Sequence, residues 1–141
     1  MKTFGKWLVG VSFVMSATSG AESPDFGPWP SQDGSLSFRL LPRRLSWWQG
    51  EQECQKLGLE QPTWRELSTS WNYLLGTSPI NLRISQLTGC FSVCPTSIWT
   101  SDEKTADDAY EFSNSHPHSI DPRGAPKYWK YAAVCVERSE E

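Results

Sequence analysis

Hydrophobic and polar residues alternate most clearly between residues 35 and 41. Leu36, Phe38 and Leu40 fall on one side of an extended chain there, and Pro42 follows. A period of two is typical of a β-strand with one buried face, and proline disfavours the continuation of a strand. The pattern therefore predicts a half-buried strand.

A helix is predicted directly after this strand. Ser46 and, three residues on, Gln49 form the capping-box pattern that begins many helices. The residues that then fall near one face are Trp47, Cys54 and Leu57. Gly58 stands where a helix often ends in a left-handed conformation, which a residue without Cβ adopts freely. The predicted helix thus lies between Ser46 and Gly58.

A second capping box, Thr63 with Glu66, predicts another helix. The apolar residues that recur at helical spacing behind it are Trp64, Leu67, Trp71, Leu74 and Leu75. Trp64 and Trp71 have two interpretations, as a pair that stacks on a sugar or as core residues. Aromatic residues at this spacing are usually buried, so we expect both in the core.

The pattern breaks up between residues 76 and 97, which we interpret as a long excursion with a turn at 78–81. Strand signals return at 98–100, 109–112 and 128–136, with a polar, proline-rich segment at 113–127. The order strand, helix, helix, long loop, strands predicts an α+β domain. We expect a small antiparallel sheet in which strand pairing brings the two termini together.

The N-terminal segment has the pattern of an export signal. Lys2 and Lys6 precede an apolar run at 7–15, and small residues follow at 19–21. The run is much shorter than the roughly 20 residues that span a bilayer. We therefore predict a signal peptide at 1–21 that is cleaved, no stable membrane insertion afterwards, and a periplasmic or secreted location.

The rest of the chain is long enough for one domain. Residues 22–34 are rich in proline, glycine and acidic residues, with Trp29 among them, and predict an irregular N-terminal arm. Loss of Lys2 and Lys6 with the signal leaves 11 of 13 basic side chains against 16 acidic ones, a net charge of −5. Nucleic acid is excluded as a partner because no clustered basic surface is present to neutralise phosphates.

Four cysteines lie beyond the signal: Cys54, Cys90, Cys94 and Cys135. An even number in an oxidising compartment favours two disulfides, of which three pairings are possible. An alternative is a zinc site made by Cys90, Cys94, His116 and His118. The loose spacing, and Pro117 between the histidines, disfavour zinc, so we expect no metal and no cofactor.

Four motifs carry a family resemblance. They are residues 46–58 (SWWQGEQECQKLG), 62–67 (PTWREL), 98–101 (IWTS) and 133–138 (AVCVER). In this order they resemble bacterial C-type-lectin-like domains, similar to the terminal domain of invasin and intimin adhesins and to related short exported domains. The resemblance implies a C-type-lectin-like fold over residues 35–141, with two helices, a small antiparallel sheet and long loops.

The resemblance also implies the disulfide pairing. In such domains a disulfide joins the first helix to the final strand, which corresponds to Cys54–Cys135 here and leaves Cys90–Cys94 to close a local loop. Calcium-dependent sugar-binding members carry Glu-Pro-Asn or Gln-Pro-Asp together with Trp-Asn-Asp, and this chain has neither motif. The acidic stretch 102–108 is the best calcium candidate, but such a stretch between strands is usually a solvated hairpin loop.

Binding residues are expected on the loops that this fold places along one side of the sheet. The candidates are Phe91, Tyr128, Trp129, Asp107 and Asp108. Aromatic side chains offer large, stiff contact areas at low entropic cost. The alternative is that these aromatic residues fold inward under their own loops.

No catalytic motif is present, because the chain lacks a nucleophile elbow, a phosphate-binding glycine loop and a metalloprotease helix. The resemblance implies a binding module, and we therefore predict a non-catalytic exported module that recognises a protein or glycan partner through a loop face, without calcium. The alternatives are a structural or accessory protein of the bacterial envelope and, third, an enzyme of the sulfatase-modifying kind, which shares the lectin-like topology.

Overall fold

The structure is a computed structural model that describes residues 26–88, 97–113 and 122–139. The helices in these ranges are α1 (Trp47–Lys56), α2 (Trp64–Thr77) and α3 (Ile80–Leu87). The strands are β1 (Trp29–Pro30), β2 (Leu36–Leu40), β3 (Ser97–Glu103), β4 (Asp108–Ser113), β5 (Arg123–Pro126) and β6 (Val134–Arg138). They form two three-stranded antiparallel sheets, ordered β1-β2-β6 and β3-β4-β5. The chain is thus an α+β protein.

The first sheet pairs β2 with β6, which lie near opposite ends of the described chain. Leu36 is opposite Arg138 and Leu40 is opposite Val134 in antiparallel register. Phe38 is fully buried and Leu40 almost so, as the alternating pattern predicts. The predicted strand and its role in joining the two ends are confirmed.

Both predicted capping boxes are present. The Ser46 hydroxyl accepts a hydrogen bond from the Gln49 N–H, and the Gln49 side chain accepts one from the Ser46 N–H. Thr63 and Glu66 make the same reciprocal pair at the start of α2. Gly58 has φ +75°, the left-handed conformation expected after α1. Leu57 was expected on the buried face but caps α1 in an exposed position, because the helix ends before a further turn is complete.

Helix α2 supplies much of the largest apolar cluster. Trp71 is fully buried, and its ring packs edge-on against Phe112 of β4 with ring centroids 5.1 Å apart. Trp64 is partly buried against the same ring at 6.1 Å. The core interpretation of these two tryptophans is confirmed, whereas Leu75 is exposed on the far side of the helix.

A third helix replaces the turn predicted at 78–81. The Ser78 hydroxyl accepts a hydrogen bond from the Ile80 N–H, and α3 follows Pro79. Ile80 and Ile84, four residues apart, are both fully buried. The prediction of two helices was wrong because serine and proline suit the start of a helix as well as a turn.

Two short strands and one break were not predicted. Trp29–Pro30 of the arm pairs with β2, and β5 lies in the segment predicted to be a polar loop. Conversely, the strand predicted at 128–136 begins only at Val134. A turn follows β5 instead, and in this turn the Trp129 backbone N–H donates to the Pro126 carbonyl over 3.0 Å. Tyr131 and Ala132 make only isolated bridges, to Leu45 and Ile98.

The Cys54–Cys135 disulfide joins α1 to β6 across 81 positions of sequence, with both side chains fully buried. This predicted pairing is confirmed. The predicted Cys90–Cys94 pair lies outside the described residues. Among the helices of the described ranges, none has the length and apolar character needed to cross a membrane.

Candidate functional site

Three large aromatic side chains are exposed where the turn after β5 meets the start of α1. Tyr128 is 70 % exposed, Trp129 46 % and Trp48 43 %. A hydrogen bond of 2.9 Å joins the two segments: the Trp47 backbone N–H donates to the Lys127 carbonyl. We call Trp48, Tyr128 and Trp129 the aromatic face. Two of these residues were predicted as binding residues, and the structure leaves them accessible to a partner.

A buried lysine holds the aromatic face in place. Lys127 is only 2 % exposed, and its ammonium donates to Glu103 Oε2 over 2.5 Å and to the Ala106 carbonyl over 2.9 Å. The same Nζ lies 4.3 Å from the ring centroid of Trp47 and 5.8 Å from that of Trp48. Because a buried charge is costly unless it is paired, these contacts restrain the turn that carries Tyr128 and Trp129.

The acidic loop lies beside this turn. Residues 104–107 connect β3 to β4 as a hairpin, with the Thr105 hydroxyl accepting from the N–H groups of Asp107 and Asp108. The Asp107 carbonyl accepts from the Lys127 N–H over 2.9 Å. Four predicted site residues, Asp107, Asp108, Tyr128 and Trp129, are thus brought into one region. The fifth, Phe91, lies outside the described residues, as do Cys90, Cys94, His116 and His118 of the zinc alternative.

A groove with a volume of about 200 Å³ runs next to the aromatic face. Its lining residues are Trp47, Glu51, Gln55, Glu60, Gln61, Ser101 and Glu103. We call it the acidic groove, since three carboxylates line it. Glu103 also links the groove to the aromatic face, because it forms an ion pair with Lys127, the residue before Tyr128. Sequence reasoning missed this groove; the one available signal was the four-residue spacing of Trp47, Glu51 and Gln55, which places them along one side of α1.

Arg138 fixes one wall of the groove. Its guanidinium donates to both oxygens of Glu66, over 2.5 and 2.8 Å, and also to Glu60. Burial acts to raise the pKa of Glu66, but the hydrogen bonds from Arg138 and from the Thr63 N–H outweigh it, so this pKa lies below its ordinary value. Glu66 therefore remains charged at neutral pH and keeps Arg138 beside Glu60 of the groove.

A buried carboxylate contacts Tyr131, whose ring packs against Trp129 of the aromatic face. Glu111 of β4 is almost fully buried and accepts hydrogen bonds from the Ser97 hydroxyl and, over 3.4 Å, from the Tyr131 hydroxyl. The Tyr131 ring lies between those of Trp99 and Trp129, with centroids 4.8 and 6.2 Å away. Trp129 is exposed on one side yet packed on the other, which suits a stiff contact residue.

Tyr131 leads to a prediction at alkaline pH. Burial first, and then the charge of Glu111, raise the pKa of Tyr131 from its ordinary 10.0 to about 12. The folded state holds this proton more tightly than the unfolded chain does. The resulting stabilisation is therefore complete below about pH 10 and is lost as pH rises towards 12. We expect urea titrations at stepped pH to show the free energy of unfolding falling over this range.

Two variants check this origin of the alkaline loss. Tyr131→Phe removes the titrating hydroxyl and is expected to flatten that part of the pH profile. Tyr128→Phe removes an exposed hydroxyl and serves as the control. An unchanged profile in Tyr131→Phe would contradict the assignment.

A scan of the chain against protein-family models gave no match, and a search among curated proteins gave none either. In the described ranges no group of three or more His, Cys, Asp or Glu side chains is arranged to hold a metal ion. The fold and site define an α+β protein with a buried Cys54–Cys135 disulfide, an exposed aromatic face and an acidic groove beside it.

Proposed function

We propose that this chain is an exported, non-catalytic binding module that recognises a protein or glycan partner through the aromatic face. The proposal includes a C-type-lectin-like fold for residues 35–141. Its support is the disulfide between α1 and β6, which the sequence resemblance implies, together with the pairing of β2 with β6, which joins the two ends of the described chain. Export is supported by the signal-peptide pattern at 1–21.

The observation that carries the proposal is the exposure of Trp48, Tyr128 and Trp129 on restrained backbone. Tryptophan and tyrosine dominate the energetics of many binding surfaces, because they remove a large area from water and lose few rotamers on binding. The Lys127 ammonium lies near the Trp48 ring and the Tyr131 ring packs against Trp129, so these two rings are restrained before a partner arrives. A prearranged surface loses less entropy on binding than a mobile one.

Trp129→Ala and Trp48→Ala are expected to weaken binding by about tenfold or more, as truncation of a hot-spot residue does. The melting temperature is expected to change little, because both rings are about half exposed. The mature chain is applied to a glycan array and to a phage-displayed peptide library. The selected ligand is then titrated into each variant by calorimetry.

Leu82→Ala is the matched control, since Leu82 is a similarly exposed large apolar residue on α3, outside the aromatic face. It is expected to bind like the wild type. If neither the glycan array nor the peptide library yields a ligand, or if all variants bind equally, the proposed function is refuted. A large fall in melting temperature for Trp129→Ala would reassign that ring to the core.

A further inference from the structure

A residue in the wall of the acidic groove has a buried acceptor that lacks a donor. Gln61 forms part of its wall and is only 3 % exposed. The Gln61 amide nitrogen donates to the Trp47 carbonyl over 3.4 Å, whereas Oε1 is buried and accepts no hydrogen bond from the described residues. Gly50 leaves space for this oxygen, because a Cβ there would lie 3.0 Å from it. A buried acceptor without a donor costs free energy, which a donor that enters the groove far enough to reach Oε1 would recover.

The charge of the groove is incompletely neutralised. Glu60 is paired with Arg138, and Glu103 with Lys127, each through one carboxylate oxygen. Glu51 of α1 has no ion pair or side-chain hydrogen bond among the described residues, although it lines the groove. The groove therefore presents one unpaired carboxylate, together with further acceptor oxygens on two others. This chemistry favours a cationic group that carries several N–H donors.

The contacts of Lys127 show how one end of the acidic groove holds a cation. The Lys127 ammonium lies over the Trp47 ring and bonds to Glu103, and both residues line the groove. The carboxylates are not arranged as a metal-binding group within the described ranges, so an organic cation fits better than a metal ion. A guanidinium is planar, carries five N–H donors and stacks on aromatic rings. It matches dispersed acceptors beside an indole better than an ammonium does.

We propose that the acidic groove binds the guanidinium of an arginine side chain presented by a protein partner, while the aromatic face packs against the adjoining residues of that partner. This inference rests on the proposed function and selects a basic protein segment over a glycan. Charge complementarity supports it, since the chain beyond residue 21 carries 16 acidic against 11 basic side chains. Opposite charge also speeds the encounter between partners.

The direct test titrates N-acetyl-arginine methylamide into the isotope-labelled mature chain and follows backbone and indole N–H signals by NMR. We expect saturable shifts confined to residues that line the groove. N-acetyl-citrulline methylamide, which has the same shape without the charge, is expected to cause none. Equal shifts with both compounds, or shifts scattered over the surface, would overturn the proposal.

Glu51→Gln is expected to weaken arginine binding about fivefold, the upper range for a solvent-accessible ion pair. Glu53→Gln is the matched control, because Glu53 is on the same helix but pairs with Arg43 and Lys56 and does not line the groove. It is expected to bind like the wild type. Equal effects of the two variants would refute a specific site and indicate general charge attraction.

The two proposals fail in distinguishable ways. If the arginine compound leaves the groove signals unchanged while a ligand from the arrays still depends on Trp129, the groove assignment is wrong and the aromatic face stands. If the selected ligand is a glycan whose affinity is unchanged in Glu51→Gln, the groove assignment is likewise wrong and the aromatic face stands. If arginine shifts the groove signals but Trp129→Ala has no effect on any ligand, the aromatic face is wrong instead.

Discussion

Replacement of Trp71 by alanine is expected to lower the free energy of unfolding by about 3–5 kcal/mol, the range for deletion of a large buried aromatic side chain. Trp71 is a fully buried member of the largest apolar cluster of the described residues and packs edge-on against Phe112. Its removal leaves a cavity that the surrounding elements do not fill. Urea or guanidinium unfolding, followed by circular dichroism, measures the loss.

Trp71→Phe separates packing from polarity at the same position. The indole Nε1 is buried and donates no hydrogen bond to the described residues. Phenylalanine keeps most of the ring and removes this N–H, so we expect a loss of only about 1–2 kcal/mol. Trp48→Ala, at an exposed ring, is the control and should stay within about 0.5 kcal/mol of the wild type. Equal losses for phenylalanine and alanine would contradict the view that a smaller aromatic ring preserves most of the packing at this position.

The second large effect is expected at the disulfide. Replacement of Cys54 by serine should cost about 2–5 kcal/mol, because it releases a loop that spans 81 positions and leaves a hydroxyl in a fully buried site. The loop-closure model assigns roughly 4–5 kcal/mol to a bridge of this length. Cys135→Ser and the double variant should lose similar amounts, since either change breaks the same bond.

Cys90→Ser is the comparison for this prediction. Its predicted partner is Cys94, and a bridge between residues so close in sequence restrains the unfolded chain much less than Cys54–Cys135 does. We expect its loss to be clearly smaller than that of Cys54→Ser when both are measured by chemical denaturation without reductant. Equal losses would contradict the view that the long bridge is the main covalent restraint.

The parts of the fold that could be predicted depend on residues close together in sequence. The capping boxes at Ser46 and Thr63 each need two side chains three positions apart, and Gly58 needs only its own lack of a Cβ. The burial of Phe38 and Leu40 follows from alternation within one strand. Such signals are complete within a few residues, so the chain need not be folded for them to be read.

The errors fall where neighbours in space decided the outcome. Trp29–Pro30 is a strand only because β2 lies beside it, and β5 only because β4 does. Ile80 and Ile84 form a helix because the core receives both side chains. A two-residue strand or an eight-residue helix has too little local preference to be distinguished from a loop.

The candidate site divides in the same way. Tyr128, Trp129, Asp107 and Asp108 were predicted from residue type, since aromatic and acidic loop residues are typical contact residues. Their meeting in one region depends on Lys127, whose burial under Trp47 no local pattern indicates. The acidic groove was missed because Glu51, Glu60 and Glu103 come from three separate segments.

The sequence by itself determined the two capped helices, the alternating strand and the α+β class, because each rests on local periodicity and capping chemistry. Only the tertiary structure decided that α1, the turn after β5 and the hairpin 104–107 converge on the Lys127 ammonium. The physical reason is that a buried charge must be paired, and its partners come from whichever elements the packing of the core brings to it.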